Sequence, residues 1–223
     1  MGRVEPLDMS RMMVISKLID YIPSRCKKVL CINITQFDLI ENISENREVC
    51  LLFTAENEKW KEFNYPNKYF QKLGKDTLPF EDEIFDFVIG EEIFSHCLGL
   101  ANTVSEIRRI LKNQGLLLTV EPNIQYVDYF FDLVEGKWED ILQKISPNPC
   151  HYFFTIRSLS KMIMDSGFKV DACYPVELDN TGNFPRNSEG YIVRGKYLLG
   201  PINDSEYLEF LTKRYIVLSS KLG

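Results

Sequence analysis

The stretch KKVLCINITQFDLIEN, residues 27–42, decides how the rest of the chain is read. Val29, Leu30, Cys31 and Ile32 form a continuous apolar run, the mark of a strand buried on both faces. A short polar turn follows, and a helix is expected from about Phe37 to Ser44. A buried strand that turns directly into a helix is the opening unit of an open α/β sheet. Ligands of such sheets sit at the carboxyl ends of the strands. Turns that bring backbone close to a ligand normally carry glycine. Asn33, Ile34, Thr35, Gln36, Phe37 and Asp38 include none. Asn33 can take left-handed geometry at modest cost, whereas β-branched Ile34 cannot.

Working outward, EVCLLF (Glu48–Phe53) reads as a second buried strand, with ENEKWKEF as a short helix after it. Lys68 to Gln71 reads as a third strand and FDFVIG (Phe85–Gly90) as a fourth. Thr103 to Lys112 presents Val104, Ile107, Ile110 and Leu111 on one helical face, and NQG closes it with a glycine stop. LLLTV is a fifth strand. A helix from about Gln125 to Glu135, a loop containing Pro147 and Pro149, and a helix over TIRSLSKMIMDSGF follow. KVDACYPV is a sixth strand, and RYIVLSS is the last. Between them, Glu177 to about Asn203 is rich in Asn, Gly and Pro, which implies long surface connections. Ahead of the first strand, Met9 to Tyr21 has Met12, Met13, Ile15, Leu18 and Ile19 at helical spacing, closed by Pro23. Strands alternating with helices specify a largely parallel sheet covered on both faces. No repeat or change of composition divides the 223 residues, so a single domain is expected.

Composition narrows the function classes. The chain is 45% hydrophobic and 26% charged, in the range of soluble globular proteins. Its net charge is −6 and its basic residues are scattered, which argues against a nucleic-acid partner. The apolar runs are strand-length, too short to span a membrane, and the N-terminus lacks a signal-peptide pattern. Six cysteines without a close pair suit reduced thiols in the cytoplasm. With two histidines, His96 and His151, and no ligand-spaced cluster, no metal site is expected.

The central third carries a resemblance. LPFEDEIFDFVIGEEIFSH, followed by EIRRILKNQGLLLTVEPN, resembles the class I S-adenosylmethionine-dependent methyltransferases of the methyltransferase-11 type. Leu78, Pro79, Phe80, Asp82, Phe85, Asp86 and Val88 match their LPF-x-D-x-x-FD-x-V pattern. Glu92 and His96 match an acid and a histidine soon after it. Glu106, Arg109, Leu111, Lys112 and Gly115 match E-x-x-R-x-L-K-x-G-G, with Gln114 in place of the first glycine. PNIQYVDYFFDLVEGKWED and HYFFTIRSLSKMIMDSGF are similar to segments of methyltransferases associated with glycan synthesis. The resemblance spans about residues 12–220. It implies a Rossmann-like sheet of seven strands in the order 3-2-1-4-5-7-6, only the last antiparallel, with helices on both faces. A lead-in helix (12–26), a cofactor-side half (27–121) and a substrate-side half (122–223) would make up the domain.

The resemblance also implies a cofactor, S-adenosylmethionine, held by three elements. Asn33 and Ile34 fall at the first, the turn beside the methionine moiety. Phe53 or Thr54 falls at the second, where an acid normally accepts from the ribose hydroxyls and where Glu56 substitutes only if its loop folds back, and Asp76 lies near the third, beside adenine. Glu91 and Glu92 follow strand 4 and face the same crevice. His96 is a candidate general base, since an imidazole suits proton removal from a hydroxyl acceptor, and His151 falls on the substrate side. Plainer readings stand beside these. Asn33, Thr35 and Asp38 are common turn and cap residues. Glu91 and Glu92 suit an exposed helix start, and either histidine can be structural. Tyr126, Tyr129, Phe130, Phe131 and Trp138 read as a packed lid helix or as a stacking platform. Two functions follow. One is methyl transfer to a sugar, glycan precursor or small metabolite. The other is a non-catalytic binding or scaffold module without cofactor, perched beside a glycan-assembly enzyme.

Overall fold

The computed structural model describes residues 17–34, 36–54, 65–146 and 148–223. The apolar runs become strands β1 (Lys28–Ile32), β2 (Glu48–Phe53), β3 (Lys68–Phe70), β4 (Phe85–Glu91) and β5 (Leu111–Pro122). Between and after them lie helices α1 (Phe37–Ser44), α2 (Leu100–Ile110), α3 (Val127–Val134), α4 (Trp138–Ile145) and α5 (Ile156–Asp165). Then come β6 (Phe168–Leu178), a hairpin of β7 (Ile192–Arg194) and β8 (Tyr197–Leu199), α6 (Asp204–Leu211) and β9 (Thr212–Lys221). The seven-stranded sheet has the order β3-β2-β1-β4-β5-β9-β6. Strands β1 to β5 pair in parallel, and β9 runs antiparallel to both β5 and β6. This is the Rossmann-like class I methyltransferase arrangement that the sequence led us to expect.

Side chains alternate along each central strand, so the sheet buries two apolar layers. Val29, Cys31, Leu51, Phe87 and Ile89 pack with Leu39, Ile40 and Ile43 of α1. Leu30, Ile32, Leu52 and Val88 face the other way, against Val104, Ile107 and Ile110 of α2 and Leu159 and Ile163 of α5. Register levels the strand ends: Ile32 pairs with Leu52 on one side and Gly90 on the other. The next residues, Asn33, Phe53 and Glu91, therefore stand side by side at the carboxyl edge.

The matched motif residues act as a clamp at the opposite edge. Arg109 donates to the carbonyls of Leu78 (3.2 Å) and Phe80 (2.8 Å), and to Asp82 (2.7 Å) and Glu106 (2.8 Å). Glu106 in turn accepts from the Leu78 amide at 2.7 Å. Its hydrogen bond with Arg109 lowers the Glu106 pKa. Asp86 accepts from the amides of Lys27 and Lys28, both at 2.9 Å, and from Lys112 Nζ at 2.8 Å. Gln114 has φ 60°, the left-handed conformation that a glycine would take at less cost.

Several elements differ from expectation. The proposed helix over Met9–Tyr21 lies largely outside the described residues, and its described end, Lys17–Tyr21, is a 3-10 turn. The ENEKWKEF helix lies outside them altogether. Helix α2 starts at Leu100 rather than Thr103. Gly99, its N-cap, packs so tightly on Gly74 that a Cβ added at Gly99 would lie 2.4 Å from the Gly74 carbonyl oxygen. Helix α4 replaces part of the anticipated loop, burying Ile141 and Ile145. The Asn- and Gly-rich stretch folds into the β7–β8 hairpin. Helix α6 follows, its start fixed by a capping box between Asn203 and Glu206.

Replacing Arg109 with Ala strands Glu106 and two carbonyls that the guanidinium serves. We expect a loss of about 2–3 kcal/mol, read as a fall in Tm of roughly 4–12 °C for a domain of this size. An unchanged Tm would show that the clamp is dispensable.

Candidate functional site

The carboxyl edge of the sheet gathers a buried polar network. Glu91 ends β4, Glu92 follows it with φ 54°, and both are buried, at 4% and 3% exposure. They are thus not the exposed helix-start carboxylates of the plainer reading. Arg214, near the start of β9 and itself 6% exposed, donates to Glu91 Oε1 at 3.0 Å and forms a short ion pair with Glu92. Its Nε lies 3.6 Å from Glu177 Oε2 at the end of β6. Ser146 donates to Glu92 Oε2 at 3.0 Å, and His96 Nε2 sits 3.3 Å from the same oxygen. Tyr129 is buried alongside, its pKa pushed up to about 12 by burial while Arg214 pulls it down.

Topology explains the convergence. Because β9 is antiparallel, it begins at the edge where β4 and β5 end, and Arg214 pairs with Pro122. The charge pairs of such a buried group must be satisfied locally, since desolvating them singly is expensive.

A second carboxylate stabilises the segment after β4. Glu121, fully buried on β5, accepts from the amides of Phe94 (3.0 Å) and Ser95 (3.2 Å) and from the hydroxyls of Ser95 (2.6 Å) and Thr119 (2.7 Å). Burial pushes its pKa up to about 7, against the lowering effect of those donors, and nearby Glu92 adds to the rise.

On the β1 side, Asn33 has φ 56°. Its carboxamide oxygen accepts from the amide and the hydroxyl of Thr54, each at 3.0 Å, which ties the turn to the end of β2. Ile34 and Phe53 are each 1% exposed and belong to the apolar layer under α1. Gln36 is the N-cap residue of α1 but makes no side-chain capping bond, and Asp38 is exposed in its first turn. The Thr35 cap reading lies outside the described residues. Of the five non-glycine residues described with positive φ, Asn33, Glu92 and Glu177 lie at this edge. Such backbone strain, of order 1–3 kcal/mol each, concentrates where geometry is over-determined.

The structure therefore brings Asn33, Glu91, Glu92 and His96 to one rim. His151 is exposed, and its amide donates to the Ser95 carbonyl at 2.8 Å, which places it beside the same segment. Asp76 is exposed on the segment between β3 and β4, outside the network. Tyr126, Tyr129 and Phe131 are buried in a third apolar cluster with Ile141 and Ile192, the packed-helix reading. Sequence reasoning missed Arg214, Glu121, Glu177 and Ser146. A signal existed for the first two: each is a charge set at one end of an apolar strand run, and buried charges need partners.

Comparison with known proteins agrees with the fold. Residues 18–119 match the methyltransferase domain family model. A SAM-dependent methyltransferase from Archaeoglobus fulgidus superposes with a TM-score of 0.64 at 16% identity, over 95% of each chain. One from Thermotoga maritima gives a TM-score of 0.57 at 14% identity, over 94% of this chain and 87% of that one. One from Methanosarcina mazei gives 0.53 at 15% identity, over 97% and 99%. No curated protein matches in sequence. Fold and domain match together define a protein similar to S-adenosylmethionine-dependent methyltransferases. No helix among the described residues is long and apolar enough to cross a membrane.

Two predictions follow from this geometry. Arg214→Ala leaves Glu91 and Glu92 buried without their guanidinium and should cost about 3–5 kcal/mol. Chemical denaturation would read this directly, and a loss below about 1 kcal/mol would mean the network is not cohesive. For Glu121, the folded pKa of about 7 lies above the ordinary glutamate value of 4.5. The folded protein thus binds the extra proton between those values. Its stability is full below about pH 4.5 and falls as pH rises through about 7, by about 3 kcal/mol in the limit. Glu121→Gln should flatten that slope.

Proposed function

We propose that this protein is a methyltransferase-fold binding module whose crevice does not take S-adenosylmethionine in the mode the fold implies. The observation that carries this reading is the β1 turn: Asn33 spends its carboxamide oxygen on Thr54, between Ile34 and Phe53, which are both buried in the core. The residues at the cofactor positions do not fit the group. Phe53 offers no acceptor to a ribose, and its burial gives it a packing role instead. Loss of a charge-assisted pair of hydrogen bonds alone removes roughly 1.5–3 kcal/mol, about ten- to a hundred-fold in affinity. A turn without glycine further limits how close its backbone approaches a ligand.

A glycan-assembly enzyme is the partner class that the similar segments at residues 122–140 and 151–168 suggest. A small-molecule or glycan-precursor ligand would meet the half-buried His96 and the exposed His151 here, imidazoles that can donate to or accept from hydroxyls. The enzymatic reading, methyl transfer to a sugar, glycan precursor or small metabolite, is favoured by one observation, the domain match over residues 18–119. In that reading His96 and His151 are the candidates for handling the acceptor's proton, while S-adenosylmethionine would supply the methyl group.

Titration calorimetry with S-adenosylmethionine and S-adenosylhomocysteine separates the two. We expect no binding tighter than about 10 μM, roughly −7 kcal/mol. Tighter binding to either would overturn the module reading and put the enzyme first.

A further inference from the structure

We infer that Glu121 is the positioning residue of the carboxyl-edge site, holding the segment after β4 and the 151–154 segment in one geometry through Ser95. Neither the methyltransferase resemblance nor the network around Arg214 calls for it, and the inference does not depend on which ligand the crevice takes.

The geometry runs in one chain of contacts. Each oxygen of the Glu121 carboxylate accepts twice: Oε1 from Phe94 N and Thr119 Oγ, and Oε2 from Ser95 N and Ser95 Oγ. Ser95 passes the constraint on, because its carbonyl accepts from both the His151 amide (2.8 Å) and the Tyr152 amide (3.2 Å). A further bond, from Ile124 N to the Phe154 carbonyl at 2.9 Å, fixes the far end of that segment to the chain just after β5. His96 is the next residue after Ser95, and Glu92, its ion-pair partner, lies one helical turn before it. One carboxylate on β5 thus sets the mutual placement of both histidines and of Glu92.

The ionised and the protonated carboxyl meet this arrangement differently. Four donors fill its two oxygens, so an added proton requires the Thr119 or Ser95 hydroxyl to reverse and accept. The amide sharing that oxygen then loses a charged acceptor for a neutral one, which is a weaker bond. The titratable groups facing Glu121 are Glu92 and Cys97 from the segment after β4, and Cys150 from the chain ahead of His151. Burial pushes the Glu121 carboxyl up to about 7 and raises both thiols. Its protonation state is therefore written into the backbone that carries His96 and His151.

Amide NMR on the full chain tests this. To keep imidazole charge out of the readout, the protein for the first arm carries His96→Asn and His151→Asn. We expect the amides of Phe94, Ser95 and Tyr152 and of position 151 to shift together between pH 5 and pH 9 with one shared midpoint near neutrality. Adding Glu121→Gln should abolish that titration and lower the exchange protection of the Phe94 and Ser95 amides about tenfold or more. A role confined to global stability would lower protection throughout and leave no local titration. The inference is overturned if those amides do not respond to pH in the histidine-free protein, or if the response survives Glu121→Gln. Should Glu121→Gln fail to fold, the first arm still decides. Calorimetry with S-adenosylmethionine reads a different property, so either result can fail alone.

Discussion

Two carboxylates buried at the end of a parallel strand cannot remain charged without a counter-ion, and Arg214 supplies it across the width of β5. That pairing depends on direction. Had β9 run parallel like its neighbours, its first residues would lie at the opposite edge and the guanidinium would be a strand length away. The one antiparallel strand therefore does more than close the sheet. It carries a cation to the rim formed by Glu91 and Glu92, and it draws Glu177 of β6 into the same network. Truncating the guanidinium penalises the whole edge, since the desolvation cost of Glu91 and Glu92 is already incurred by the fold.

The same edge explains why a familiar architecture holds an unfamiliar site. Open α/β sheets leave a crevice at the carboxyl ends because loops diverge there. Here the loops are drawn together. Asn33 is tied to Thr54, the backbone of Gly74 packs against Gly99, and the segment after β4 is pinned from below by Glu121. The opposite edge, by contrast, keeps its ordinary clamp of Arg109, Glu106 and Asp86, whose work is to hold strand and helix together. The residues that clamp the fold together and those that gather at the carboxyl edge thus act at different ends of the strands.

Much of this was legible in the residues. Helix α1 matches its expected bounds, and the strand order was implied by the resemblance. The capping box of α6 and the periodicity of α4 were also legible but were hidden by a composition that reads as loop. The rim was legible only in part. That Asn33 would tolerate positive φ follows from its short polar side chain, and Glu91 and Glu92 stood out as acids after an apolar strand. Their burial did not follow, because it depends on a residue more than a hundred and twenty positions away.

By itself, the sequence determined the alternation of buried strands and amphipathic helices, the sheet they specify, and the absence of glycine from residues 33–38. These are local properties: hydrophobic period, propensity and the steric limits of a Cβ act within a few residues. Only the tertiary structure decided that Glu91 and Glu92 share Arg214 as their partner, that Glu121 supports Ser95, and that His96 and His151 share one rim. Those outcomes come from register and strand direction, which place distant residues within hydrogen-bond reach, and no pattern within a single segment encodes such a distance.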